Sequence, residues 1–300
     1  MAGTATPRRI RFRAADGRSL GGTWWPGDAA GERTIVFLCG IACPQRYFRW
    51  LAGYLAERGF GVLTFDYRGV GESKDPFSDD PCVTLDDWIN LDLPAAVAEA
   101  RRLSGTRFLA VVAHSLGGQL LGQSPIRNQI DATVLIAPQR SIPRLFRGVA
   151  KLRLWIGYLA FPPLARLLGY VPSCRLWFPE RCPGDTFVQL GRWSRQGIYT
   201  DESGDSVESR FAEYEGPLAA IGFSDDQYYA PPQAVRALVD LYQRARVRLE
   251  TIDPKAYGLA SLGHSGLFRQ AAPPALWERV VEYLNDFEAE RASPRDAASA

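Results

Sequence analysis

The stretch RFLAVVAHSLGGQ, residues 107–119, decides how the rest of this chain reads. After Arg107 it is apolar as far as Ala113, the pattern of a strand buried on both faces of a parallel sheet. A short helix begins at residues 119–123. Between strand and helix, Ala113-His114-Ser115-Leu116-Gly117-Gly118 turns the chain sharply. A serine on such a turn has an exposed hydroxyl, and the turn needs small residues two positions to either side. Ala113 and Gly117 are small. A helix N-cap is the plainer reading of Ser115, but its place at the end of a buried strand favours a nucleophile.

Working outward, the same alternation of buried strand and amphipathic helix recurs along the chain. Residues 8–14 and 20–25 flank the Asp16-Gly17 turn and suggest an opening hairpin. Arg8, Arg9, Arg11 and Arg13 suit an edge strand with a charged outer face. Strands are expected at 34–39 and 61–66, with a helix over 47–58 that stops at Gly59. A helix is expected over 84–102, with Thr84 and Asp87 as capping partners and a break at Pro94. Strands follow at 132–137, 217–222 and 247–252, and helices at 233–244 and 274–287. Residues 291–300 read as a disordered tail. The pattern predicts an α/β fold with a mostly parallel sheet covered on both faces. It fails only over residues 139–212, where no clean strand is visible; the core is then residues 1–138 and 213–290.

A hydroxyl needs a base to act as a nucleophile at neutral pH. The chain has two histidines. His114 adjoins Ser115, and its side chain is expected to point elsewhere. His264 lies in a loop after the last strand and is the candidate base. A carboxylate should orient the imidazole, and it should follow the strand at 217–222. Spacing from Gly222 favours Asp225, with Asp226 as the alternative. An oxyanion hole needs two backbone N–H groups. Leu116 should supply one, and Ile41, in the loop after the strand at 34–39, the other.

Composition narrows the rest. Thirty-five basic and 33 acidic side chains give a net charge of +2, so there is no electrostatic footprint for nucleic acid. The most lipid-like segment, residues 152–169, is broken by Arg153, Pro162, Pro163 and Arg166, so no membrane span is expected. The N-terminus has no apolar secretory stretch. Five cysteines without paired spacing (Cys39, Cys43, Cys82, Cys174, Cys182) support neither disulfides nor zinc, and the cytoplasm is the expected compartment. No metal or organic cofactor is implied.

Several segments carry a family resemblance. They are Pro44-Gln45-Arg46-Tyr47, Phe65-Asp66-Tyr67-Arg68-Gly69-Val70-Gly71-Glu72-Ser73, the Ser115 segment continued through Gly122, Ser224-Asp225-Asp226 with Ala230-Pro231-Pro232, and Gly263-His264-Ser265-Gly266-Leu267-Phe268-Arg269. Together they resemble the α/β-hydrolase superfamily, within it a group of bacterial members assigned by fold, and the chain order Ser…Asp…His agrees. The resemblance implies an eight-stranded sheet, a Ser-His-Asp triad and a helical cap inserted after strand 6. Two departures stand out: Ala113 replaces the usual glycine, and Cys39 stands where many relatives carry histidine, in the unusual Cys39-Gly40-Ile41-Ala42-Cys43 loop.

The cap, residues 139–212, is rich in aromatics: Phe146, Trp155, Tyr158, Phe161, Tyr170, Trp177, Phe178, Phe187 and Trp193. Most should pack in its own small core. A few should roof Ser115, and Trp155, Tyr158 and Trp193 are the candidates for contact with substrate. Leu152, Trp155, Ile156 and Leu159 fall at helical spacing. Arg140, Arg144, Arg147 and Arg153 suit a solvated face, or an anionic group of the substrate. The expectation is a serine esterase or thioesterase acting on a small-molecule acyl substrate, free or carrier-bound. The alternatives are acyl transfer or cyclisation by the same triad with water excluded, and a non-catalytic binding protein on a hydrolase scaffold.

Overall fold

The structure is a computed structural model that describes residues 6–27, 32–75, 82–173, 180–201 and 203–292. The strands are β1 (Arg8–Arg13), β2 (Ser19–Trp25), β3 (Arg33–Leu38), β4 (Gly61–Phe65), β5 (Phe108–His114), β6 (Ala132–Ile136), β7 (Tyr170–Val171), β8 (Cys182–Pro183), β9 (Pro217–Phe223) and β10 (Arg246–Ile252). Eight of them make one sheet in the order β1-β2-β4-β3-β5-β6-β9-β10. β1 and β2 form an antiparallel hairpin, and β2 meets β4 antiparallel. All other neighbours run parallel. This is the α/β-hydrolase fold.

The sequence shows why the centre lies where it does. β4, β5, β6 and β9 are buried at every position, which only apolar runs tolerate with helices on both faces. β1, with its arginines outward, has a neighbour on one side only and closes one edge. The helices are α1 (Arg49–Ala56), α2 (Leu85–Asp87), α3 (Leu93–Ser104), α4 (Leu116–Gln123), α5 (Gly148–Leu168), α6 (Gly184–Gln196), α7 (Pro232–Val239) and α8 (Pro274–Ala292). Thr84 and Asp87 form a reciprocal capping box at the start of α2. The expected break near Pro94 is a wide π-turn over Trp88–Asp92, just before the proline. A wider turn there relieves the clash between the proline ring and the carbonyl one turn earlier, which has no proline N–H to accept.

Several expectations change. The helix expected over 233–244 ends at Val239. The connection from β6 to β9 contains a small antiparallel pair, β7 with β8, too short to leave a periodic signature. α8 continues to Ala292, past the expected end at Phe287, so the first two residues assigned to the tail are helical. Residues 293–300 lie outside the described residues, as do Cys174, Trp177 and Phe178.

Candidate active site

The carboxyl end of β5 supplies the centre. Ser115 has φ 52° and ψ −117°, a left-handed conformation that a residue with a side chain adopts only under constraint, at a cost of about 1–3 kcal/mol. The constraint is visible on both sides. The Ser115 N–H bonds the Ile136 carbonyl at the end of β6, 3.1 Å. Behind it, Gly117 packs so close to β3 that a Cβ there would lie 2.5 Å from the Leu38 carbonyl oxygen. Strand, turn and helix are thus locked together, and the Ser115 side chain faces a cavity of about 160 Å³. That cavity is also lined by Ile41, Leu116, Tyr158, Phe187 and His264.

His264 reaches the cavity from the loop after β10. Its Nδ1 lies 2.6 Å from Asp226 Oδ2. The other Asp226 oxygen accepts the Tyr229 N–H at 3.1 Å, and the carboxylate is almost fully buried. The Tyr229 ring stacks on the imidazole, centroids 4.9 Å apart and 24° from parallel. Carboxylate and phenol ring together leave Nε2 as the free edge of His264.

Asp225, favoured from the spacing, does not meet the imidazole. Its Oδ2 accepts the N–H groups of Leu262 and Gly263 at 2.7 and 2.9 Å, so it ties down the loop just before His264. β9 runs one residue further than expected, to Phe223, and that extra residue moves the count from Asp225 to Asp226.

His114 does more than adjoin the serine. It is buried, and its Nε2 lies 3.1 Å from the His264 carbonyl oxygen, a contact that requires Nε2 to carry the proton. Burial, reinforced by the neighbouring His264, holds its pKa well below the usual histidine value, so the ring stays neutral. Its Nδ1 faces Gly40, where an added Cβ would lie 3.1 Å away and 3.3 Å from the Ser115 Cβ. The lack of a side chain at Gly40 therefore brings the β3 loop against the elbow. In that loop Ala42 is strained, with φ 51°. The Ile41 N–H has no acceptor among the described residues. The Leu116 N–H is the first of α4, where a helix supplies no partner.

Cys39 and Cys43 flank this loop. Burial raises both thiols, Cys43 to about 12, so neither is a thiolate at neutral pH. Among the described residues there is no group of three His, Cys, Asp or Glu that could hold a metal ion, and no helix is long and apolar enough to cross a membrane.

The β6–β9 connection covers the cavity. Tyr158 lines it, but the other two aromatics singled out do not. Trp155 lies on the outer side of α5, 39% exposed. Trp193 is on the buried side of α6, its indole N–H on the Thr200 carbonyl at 2.7 Å. Leu154, Gly157, Phe187 and Leu190 line the cavity instead, with Tyr228 and Tyr229. α5 is apolar on both faces, so spacing alone does not reveal which face turns inward. Of the arginines, Arg153 lines the cavity and bonds the Tyr229 hydroxyl at 2.6 Å. Arg140 is held by Glu208 and the Gly197 carbonyl.

The overall fold is similar to that of the esterase Pf2001 of Pyrococcus furiosus, with 20% identity, a TM-score of 0.58, and 94% of this chain and 92% of that chain covered. It is also similar to Est1E of Butyrivibrio proteoclasticus, whose structure holds ferulic acid, with 18% identity, a TM-score of 0.61, and coverage of 94% and 98%. The acylaminoacyl peptidase of Pyrococcus horikoshii matches 96% of this chain with 42% of its own, at 17% identity and a TM-score of 0.59. No curated protein sequence matches the chain. The sequence model of the alpha/beta hydrolase family matches residues 35–283, which contain the strained serine, the histidine that shares its cavity and the carboxylate bonded to that histidine. The chain belongs to the alpha/beta hydrolase family.

Proposed function

We propose that this protein is a serine hydrolase that cleaves a carboxylic ester or thioester of a largely apolar small molecule through an acyl-serine intermediate. One observation carries the reading: Ser115, strained at φ 52°, shares a cavity with His264, whose far nitrogen is 2.6 Å from a buried carboxylate. In this reading His264 Nε2 takes the Ser115 proton as Oγ attacks the substrate carbonyl. Asp226 stabilises the imidazolium that results. The N–H groups of Leu116 and Ile41 receive the negative charge on the carbonyl oxygen. The imidazolium then protonates the leaving alcohol or thiol, and water, deprotonated by His264, releases the acid. Residues 139–212 act as a cap whose Tyr158, Phe187 and Leu190 contact the acyl chain.

Turnover of a panel of p-nitrophenyl esters and matched acyl thioesters tests this. The expected result is hydrolysis by the wild type and a loss of about 10⁴-fold or more in Ser115→Ala. Equal turnover by the two proteins would reject the reading. The aromatic roof over Ser115 favours a second reading, in which water is excluded and a substrate hydroxyl or amine takes the acyl group. Product that depends on an added nucleophilic acceptor would favour acyl transfer, and hydrolysis alone under all conditions would reject it.

A further inference from the structure

The outer face of α5 takes no part in the site. Val149, Leu152, Ile156 and Leu159 are 50–67% exposed, and Leu167 is 81% exposed. With Trp155 they fall within one arc of about 120° on the helical wheel. The stripe runs the length of a 21-residue helix, about 31 Å at the usual rise. A soluble surface rarely exposes a continuous apolar strip of that length.

The charge around the stripe is mostly positive. α5 contains Lys151, Arg153 and Arg166 and no acidic residue, and Arg144 and Arg147 precede it. Arg166 sits at the edge of the stripe and shares a surface groove with Arg192 and Arg195 of α6, against one carboxylate, Asp185. The Arg192 and Arg195 side chains donate to backbone carbonyls, of Asp201 and Tyr158. Among the described residues no carboxylate lies within ion-pair distance of Arg166, Arg192 or Arg195. An apolar stripe bordered by cations suits a helix lying in the plane of an anionic bilayer, with leucines in the acyl boundary and basic groups at the phosphates. A second copy of this chain would bring the same cations against themselves.

We propose that α5 docks the protein, peripherally and reversibly, on an anionic lipid surface. The inner face of the same helix, at Leu154, Gly157 and Tyr158, lines the Ser115 cavity. Docking therefore lays the roof of that cavity on the phase in which apolar acyl compounds dissolve. The docking itself does not depend on the hydrolase reading.

Co-sedimentation of the full chain with vesicles of phosphatidylcholine, with and without phosphatidylglycerol, tests it. The expected result is partitioning at least tenfold stronger with phosphatidylglycerol, weakening as salt is raised. Ser115→Ala should bind as the wild type does, so failure of catalysis and failure of docking are distinguishable. Leu152→Glu with Leu159→Glu should lose the binding while turnover of a short soluble ester and the melting temperature stay unchanged. Should that pair fail to fold, Lys151→Gln with Arg166→Gln should still cut the preference for phosphatidylglycerol severalfold. Absence of wild-type binding to both vesicles would overturn the proposal. So would a dimer in solution that the glutamates dissociate, with no vesicle binding, which would make the stripe a contact between copies.

Discussion

The carboxyl edge of the sheet and the β6–β9 connection solve opposite problems. At the sheet edge, position is over-determined. Ser115 is held by β6 through its N–H and by β3 through the close packing at Gly117. His264 is held by Asp226 in front, by Tyr229 on its face and by His114 at its backbone. Asp225 fixes the two residues before it. Over the cavity, by contrast, α5 makes its contacts with apolar side chains on one face and leaves an equally apolar face exposed. Hydrogen bonds hold Ser115 and His264 in place. Apolar packing fixes only a shape, and shape is what a substrate pocket can vary without loss of the chemistry.

The contrast predicts unequal costs. The largest separates the two adjacent aspartates. Asp226→Asn should lower kcat by about 10⁴-fold, because the imidazole loses both its orientation and its counter-charge. Asp225→Asn should cost about a hundredfold at most, since it only loosens the loop that carries His264. Steady-state kinetics on one ester would check both, and equal losses would erase the distinction.

Next comes the locking of the elbow. In Gly117→Ala the new methyl group meets the Leu38 backbone, which cannot rotate away. Urea unfolding should show a loss of about 1–3 kcal/mol. Smaller again is the effect of the roof. Tyr158→Ala should reduce kcat/KM for a medium-chain ester by roughly tenfold, mostly through KM, whereas Trp155→Ala, on the outer face, should leave it unchanged.

The smallest effect is a slope with pH. His114 has its folded pKa lowered, so below about 6.5 the unfolded chain takes up a proton that the folded chain refuses. Its contribution to stability is therefore complete above about pH 6.5 and is lost as the pH falls. Asp66 acts in the opposite sense. Burial pushes its carboxyl up to about 6, so in the folded state it protonates first as the pH falls from 6 toward its ordinary value, which favours the fold. Asp92 is likewise pushed up to about 6 by burial, and removing His114 takes away one group whose proton uptake by the unfolded chain lowers stability as the pH falls. His114→Gln should accordingly show a smaller drop in melting temperature between pH 7.5 and pH 5 than the wild type, measured by calorimetry.

The same contrast governs what the sequence revealed. The buried strands were legible because a sheet covered on both faces forces continuous apolar runs, as in β5 and β6. Ser115 and His264 were legible because the small neighbours of one and the loop position of the other follow from the turn they must make. The carboxylate beside His264 is one residue further along than the spacing favours because strand length is set by pairing, and β9 pairs with β10 as far as Phe223. His114 was missed because its partner lies 150 residues away in the chain. The cavity lining was only partly legible. α5 is apolar on two faces, so Trp155 and Tyr158 look equivalent until the helix is docked.

Intact-protein mass spectrometry after exposure to a fluorophosphonate tests the central claim most directly. An alcohol activated by His264 and Asp226 should take up one adduct, mapped to Ser115, and Asp226→Asn should label far more slowly than Asp225→Asn. A folded wild-type protein that stays unmodified, or carries its adduct on another residue, would contradict the account.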